Sequence, residues 1–314
     1  MNVQIWIKRP CTLYNVQVQL GSTIHVCGDL HGQYHDLLHI LIAKGEPSEV
    51  NKYLVNGDIV DRGPQSLQCI VLLLAWHVAD PASMFLNRGN HEAEAMNLKD
   101  GFHAELMEKY GDPVLFDFFQ EVFSWLPAAT LVDSKVFVTH GGLSSIPDLS
   151  LDDIRALPRG RGVQPEDSPL LTDLLWSDPL TVLITVPLTV PLTGPILSQL
   201  DEGRGTAQGV LVSSSVRWFS ICRVPFVFIP TQCSQDVTEA FLLQNRLQCL
   251  VRSHEETREG CHLNHPGCYT VFSAPNRSKG VLGGVITIHK EEERLRMESY
   301  VFAQTDSPGN EPGI

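Results

Sequence analysis

The stretch TIHVCGDLHGQYHDLLHILIAK, residues 23–44, decides the fold. Its first five residues are an apolar, β-branched run that stops at Gly28, as a short buried strand does. Asp29 and His31 follow at once, and YHDLLHILIAK (34–44) then places apolar residues at helical spacing. A strand that delivers chemistry-bearing side chains to a turn and continues into a helix is the unit of an α/β domain, whose ligands gather at the carboxyl ends of strands. The pattern recurs four more times along the chain. Tyr53–Val55 runs into Asn56, Gly57 and Asp58, then Asp61 and Arg62; Met84–Leu86 runs into Arg88, Gly89, Asn90, His91 and Glu92. Val136–Thr139 runs into His140, and Leu247–Val251 into Arg252, Ser253 and His254. SLQCIVLLLAWH (66–77), FHAELMEKY (102–110) and VLFDFFQEVF (114–123) read as further helices, the last two parted by Gly111, Asp112 and Pro113.

Composition narrows the function. With 23 Lys+Arg against 36 Asp+Glu among 314 residues, the net charge is −13, which argues against broad binding to a nucleic-acid backbone. At 43% hydrophobic and 19% charged residues the chain has the means to bury a core, so disorder is excluded as its general state. Eight cysteines without a CxxC pair read as reduced thiols, and MNVQIWIKRPCTL (1–13) lacks the layout of a secretory signal. No uninterrupted apolar run reaches the length of about 18 residues that a membrane span needs. The expectation is a protein of the cytoplasm, the nucleus or both, with no membrane or nucleic-acid partner.

A single Asp-x-His carries little weight, because most buried histidines are merely hydrogen-bonded. The conjunction carries more. Asp29, His31, Asp58, Asn90, His140 and His254 all follow strand-like runs, nearly all with a glycine close by that lets the backbone turn sharply near an ion or phosphate. Carboxylate, imidazole and amide donors together suit borderline divalent ions of the Mn, Fe and Zn class. They are too many for one four-coordinate structural zinc, whereas two ions sharing a carboxylate, about 3.5–4 Å apart as in phosphate-processing enzymes, would use them all.

GDLHGQ (28–33), GDIVDRG (57–63), RGNHE (88–92), HGG (140–142), RSHE (252–255) and FSAPN (272–276) resemble, in this order, the motifs of the PPP-family serine/threonine phosphatases. LLWSDP (174–179), residues 110–129 and DVTEAFL (236–242) look like the same family; LDDIRALPR (151–159) and KGEPSEVNKYLVNGD (44–58) are most similar to its type 5 branch. The resemblance implies a calcineurin-like metallophosphoesterase fold, a central β-sandwich flanked by helices with a two-metal site at its edge. It implies Asp29, His31 and Asp58 on the first metal and Asp58, Asn90, His140 and His254 on the second, with Asp58 and a water bridging. His91 would be the general acid, oriented by Asp61, while Arg62 and a second arginine would grip the phosphate together with Asn90. Phosphoproteins would be the substrates, with regulatory subunits or domains as possible partners. The chemistry is coherent: dianion hydrolysis is among the slowest reactions known, and two cations would both neutralise the ester and lower the pKa of water from about 15.7 toward 7.

Residues 1–304 read as one catalytic domain with two foreign stretches and a disordered tail at 305–314. TVLITVPLTVPLTGP (181–195) is a low-complexity repeat, and GVLVSSSVRWFSICRVPFVFIPTQ (209–232) matches nothing in the family. The second stretch reads either as translated intron sequence or as an insertion looping outward. Between them lies Arg204, the best match for the second phosphate-binding arginine. After Asn276 the family usually has Tyr-Cys in a longer loop overhanging the cleft; here Arg277, Ser278, Lys279 and Gly280 follow. Cys261, His262, His265 and Cys268 have zinc-like composition without family precedent, so a structural zinc is not expected there. Asp152 and Asp153 after Ser150 read as a helix cap. Two alternatives to the phosphatase remain open: a two-metal phosphoesterase acting on dinucleoside polyphosphates, and a catalytically impaired phosphatase-like binding protein.

Overall fold

The structure is a computed structural model that describes residues 11–180, 232–292 and 294–304. Arg204, the repeat at 181–195, residues 209–231 of the foreign stretch and the tail from 305 lie outside the described residues. In chain order the elements are β1 (Leu13–Val16), β2 (Thr23–Cys27), α1 (Tyr34–Lys44), β3 (Asn51–Val55), α2 (Ser66–Ala79) and β4 (Met84–Leu86). Then come α3 (Glu94–Asp100), α4 (Phe102–Tyr110), α5 (Pro113–Ser124), β5 (Ala129–Val132), β6 (Val136–Thr139), α6 (Leu151–Arg155), α7 (Pro169–Trp176) and β7 (Asp178–Pro179). The remainder is β8 (Gln232–Cys233), α8 (Gln235–Gln244), β9 (Cys249–Arg252), β10 (Cys261–His265), β11 (Cys268–Val271), β12 (Gly283–Glu291) and β13 (Arg294–Phe302).

The strands form two large sheets, one of five strands in the order β13-β12-β2-β3-β4 and one of six in the order β1-β5-β6-β9-β11-β10. Strands β2, β3 and β4 run parallel, as the strand–helix alternation requires, while β12 closes against β2 antiparallel. Side chains alternate along each strand and so sort themselves between layers. Ile24, Val26 and Leu54 from the first sheet meet Val136, Val138 and Val251 from the second in the layer between the sheets. Tyr53 and Val55 turn the other way, onto Leu37, Leu73 and Phe123 of the helices; Phe137 and Leu250 turn onto Leu174 and Phe241 on the opposite side. The result is the expected sandwich flanked by helices. Strands buried on both faces explain why these runs are continuously apolar rather than alternating.

Local chemistry sets several boundaries. Asp112 caps α5 by accepting from Val114 N at 2.9 Å, with Pro113 in the first turn where its missing N–H costs nothing. Ser150 and Asp153 form the expected capping box of α6. The apolar run at 247–251 is only partly strand: Leu247 N donates to Leu242 O at 2.8 Å, which closes the turn after α8, and β9 begins at Cys249. Cys261 and Cys268 sit on paired strands, but His265 Nε2 bonds Thr238 Oγ1 at 2.9 Å, so no zinc-like cluster forms among these four. The short pair β7–β8 is parallel, Asp178 opposite Gln232 and Pro179 opposite Cys233, so the described chain leaves at Leu180 and returns beside it. No helix among the described residues is long and apolar enough to cross a membrane.

Within the first sheet His25 is buried, its Nε2 donating to Asn51 Oδ1 at 2.8 Å and its Nδ1 accepting from Thr287 Oγ1 at 3.0 Å. Burial, against the opposing hydrogen bond to Asn51, lowers its pKa from 6.5 to about 4. The unfolded chain therefore binds more protons below pH 6.5, and stability is lost as pH falls toward 4, by on the order of 3 kcal/mol. Urea unfolding of the wild type and His25→Gln across this range should show the stability gap between them narrowing as pH falls; parallel pH curves would refute the assignment.

Candidate metal centre

Five strands end at one point. Asp29 and His31 follow β2, Asp58 follows β3, Asn90 and His91 follow β4, His140 follows β6 and His254 follows β9, and six of the seven are essentially buried, His254 partly so. The loops are strained in a way that aims their side chains. Of the described non-glycine residues with positive φ, His31 (43°), Asp58 (49°), Asp61 (71°), Arg62 (66°) and His254 (70°) belong to this cluster. Such conformations cost on the order of 1–3 kcal/mol each and persist only where the surroundings impose them. Leu30 N and His31 N both donate to Asp58 O at 2.9 Å, Asn56 Nδ2 crosses to Thr139 O at 2.7 Å and to Ser253 Oγ at 2.9 Å, and His254 N donates to Asp29 Oδ1 at 3.0 Å. Gly89 lies so close to Asp58 that a Cβ there would overlap the carboxylate.

The side chains form two overlapping donor groups that share Asp58: His31, Asp58 and His91 on one side, Asp58, His140 and His254 on the other. His31 Nε2 is 3.6 Å from Asp29 Oδ2 and 3.5 Å from Asp58 Oδ2, and His140 Nε2 is 3.2 Å from Asp58 Oδ1. Backbone carbonyls choose the imidazole tautomers: His31 Nδ1 donates to Val60 O at 3.1 Å and His140 Nδ1 to Asn56 O at 2.8 Å, so each turns the Nε2 lone pair inward. The Asn90 carboxamide oxygen lies 2.8 Å from His140 Nε2 and 3.0 Å from His254 Nδ1; turned over, its nitrogen would instead meet both imidazoles and both Asp58 oxygens. Asp29 Oδ2 is buried without a hydrogen-bond partner. Carboxylate, imidazole and amide groups converging on one point, with Asp29 Oδ2 left without a donor, fit a divalent cation.

Electrostatics point the same way. Burial, then the neighbouring Asp58, push Asp29 up to about 6. Burial would also raise Asp58, but the imidazoles of His140, His91 and His31 overcome it and hold that carboxyl well below its usual range. Burial pushes His31 down to about 3, whereas beside Asp58 and Asp29 His140 rises to about 9 despite its burial. Positive charge at this point is what the carboxylates require.

His91 is set apart by its partners. Its Nδ1 bonds Asp61 Oδ2 at 2.8 Å, and its Nε2 faces inward 4.0 Å from Asp58 Oδ2. Burial opposes its charged form, yet Asp58 and the Asp61 hydrogen bond raise its pKa above the ordinary value. Asp61 is itself fixed by Phe102 N at 2.9 Å, at the start of α4, and by Asn97 Nδ2 at 2.8 Å. Arg62 is exposed and acts on His91 through its charge. All the sequence-derived site residues except Arg204, which is not among the described residues, thus fall on these strand-end loops.

Several residues that matter here carry no motif logic of their own. Buried Glu92 accepts from Asp58 N, Gly89 N and Ile59 N, each at 2.8 Å, and so clamps the loop that presents Asp58. Fully buried Arg252 donates to Gly141 O, to Ser177 O at 3.0 Å, to Asp178 Oδ1 at 2.8 Å and to Glu255 Oε2 at 2.8 Å, tying three motifs together. Asn97 had no signal in the sequence, since an asparagine on a polar helix is ordinary.

A family model described as calcineurin-like phosphoesterase matches residues 22–255. The human serine/threonine-protein phosphatase 5 is 38% identical over 98% of this chain and 54% of its own length. The serine/threonine-protein phosphatase T of Trypanosoma brucei brucei is 39% identical over 99% of this chain and 58% of its own. The chain therefore spans about half the length of these curated relatives. Among solved structures, a protein serine/threonine phosphatase from Saccharomyces cerevisiae superposes with a TM-score of 0.76 at 30% identity, covering 98% of this chain and 88% of that one.

Glu92→Gln tests the clamp. An amide must turn its NH₂ toward backbone N–H groups, leaving buried donors unpaired at a cost of about 1–3 kcal/mol. Metal analysis after dialysis should show Mn²⁺ retention weakened by roughly 10–100-fold, as for other residues that orient ligands. Unchanged retention and melting temperature would show that the loop holds without it.

Proposed function

The chain belongs to the calcineurin-like phosphoesterase family, and from that premise we propose that it is a metal-dependent serine/threonine protein phosphatase, hydrolysing phosphoserine and phosphothreonine in proteins. Divalent metal is the cofactor class of this family, and the donor groups around Asp58 suit it. In the finer reading, Asp29, His31 and Asp58 would hold one ion of the Mn, Fe or Zn class, and Asp58, Asn90, His140 and His254 a second. When bound, they supply Lewis acidity that neutralises the phosphate dianion and makes water acidic enough to serve as nucleophile near neutral pH.

The chain's own residues do the rest. The observation that carries the reading is the His91–Asp61 pair, with Nδ1 to Oδ2 at 2.8 Å and Nε2 aimed at the donor cluster. Asp61 fixes the imidazole's orientation and favours its protonated form, so Nε2–H can pass a proton to the departing serine or threonine oxygen. That oxygen is a poor leaving group as an alkoxide, which is why a positioned acid matters. Arg62 offers a planar fork to the phosphate oxygens from the rim. Among the described residues, burial pushes the thiols of Cys27, Cys249, Cys261 and Cys268 up to about 12, away from the reactive thiolate.

Hydrolysis of p-nitrophenyl phosphate and of a phosphothreonine peptide by the full chain, with Mn²⁺ and with chelator, tests the proposal. Turnover should require metal, and His91→Ala should lower kcat on the peptide by about 10²–10⁴-fold with metal content unchanged. A wild-type protein that retains metal but turns over neither substrate would instead be a phosphatase-like binding protein.

A further inference from the structure

Arg277, which stands where the resembling family has tyrosine, is not used by the mechanism above. It closes the short 3₁₀ turn Pro275–Arg277, with its N–H donating to Ala274 O at 3.1 Å. The loop around it is built, not loose. Ser273 N donates to Asp29 O at 3.2 Å, while Ser273 Oγ receives Gly28 N at 2.8 Å and donates to Gly284 O at 2.6 Å. Asn276 Nδ2 donates to Asp36 Oδ1 at 2.9 Å, and Gln304 Nε2 spans Pro275 O and Ser278 O at 2.9 Å each. Ser278 Oγ donates to Glu256 Oε2 at 2.6 Å, fastening the loop to the segment that follows His254. Backbone on both sides of Arg277 is thereby locked to the Asp29 and His254 loops.

Arg277 is half-buried and Arg62 exposed, and among the described residues neither guanidinium makes a hydrogen bond or ion pair. The loop places Arg277 between the segments that carry Asp29 and His254. In keeping with that placement, burial and then repulsion from Arg62 lower the Arg277 pKa against the attraction of Asp29, Glu256 and Asp58. Two guanidinium groups that repel each other, neither engaging a carboxylate directly, are held near the same buried donor cluster by rigid backbone. A dianion seated against both relieves the repulsion, and the planar forks match its oxygens.

We propose that Arg277 is a further phosphate-binding residue of this site, acting with Arg62 on a phosphate monoester dianion. The proposal rests on the phosphatase reading, but its test does not need turnover. Inorganic phosphate binding to the Mn²⁺-loaded full chain is measured by calorimetry for the wild type, Arg277→Ala and Arg277→Lys, with metal content and melting temperature as controls. Arg277→Ala should weaken phosphate binding on the order of 10–100-fold, and Arg277→Lys should recover part of it, with metal retained in both. In turnover, KM for p-nitrophenyl phosphate should rise in parallel with the inhibition constant for phosphate.

Phosphate affinity within about twofold of wild type in Arg277→Ala, with turnover intact, overturns the assignment while leaving the phosphatase standing. An effect confined to peptides with acidic residues beside the phosphothreonine also overturns it, because Arg277 would then read the peptide and not the phosphate. Arg277-dependent phosphate binding without hydrolysis supports the assignment and fails the activity alone. A metal-loaded wild type that binds no phosphate overturns both.

Discussion

Two carboxylates, Asp29 and Asp58, are buried side by side at the ends of neighbouring parallel strands, and much of the structure answers to that constraint. Anions in such a place are tolerable only if positive charge comes to them, because desolvation alone would cost far more than a fold of this size can lose. Imidazoles come from three further loops, and the tautomers of His31 and His140 are chosen by backbone carbonyls so that lone pairs face the same point as the carboxylates. The arrangement suits a cation better than it suits itself. Strained backbone at His31, Asp58 and His254 is the cost of pointing side chains inward from strand ends, and it is held by hydrogen bonds between loops.

Outside this centre the polar residues divide into holders and actors. Glu92, Arg252, Asn56 and Asn87 bond across loops to backbone and to other side chains, and their effect is to fix where loops sit. Asn87 Nδ2 reaches Asn56 Oδ1 at 2.8 Å while Thr130 Oγ1 caps Asn87 Oδ1 at 2.7 Å, so a buried polar chain joins the two sheets beneath the site. Every member is satisfied, which makes such a network rigid rather than costly. Arg62 and Arg277 are the opposite kind of residue: each has its backbone N–H engaged, and among the described residues neither charged end has a partner.

Legibility from the sequence followed the range of the forces involved. The strand-turn-helix unit of residues 23–44 is a local matter of periodicity, β-branching and glycine, and the structure follows it residue for residue in β2 and α1. The run at 247–251 was harder, because Leu247 is apolar for a helix-end turn and not for the strand beside it. Helix α3 has no apolar stripe in EAMNLKD to announce it; its place in the fold comes from Asn97 reaching Asp61 and the His91 carbonyl. Nothing in RGNHE says that the Glu92 carboxylate will meet the amides of residues more than thirty positions earlier.

By itself the sequence determined the class of chemistry. Carboxylate, imidazole and amide at strand ends specify a divalent-metal site, and six ordered motifs specify the family in which such sites handle phosphate. Side-chain type and short-range periodicity are properties of neighbouring residues, so they survive in one dimension. The tertiary structure alone decided which donors meet: that Asp58 is shared between two groups, that His91 is turned by Asp61, and that the Arg277 turn is tied to the Asp29 loop. Those pairings depend on sheet order and on contacts between residues far apart in the chain, such as Asp29 with His254, and no local pattern encodes a distance of that kind.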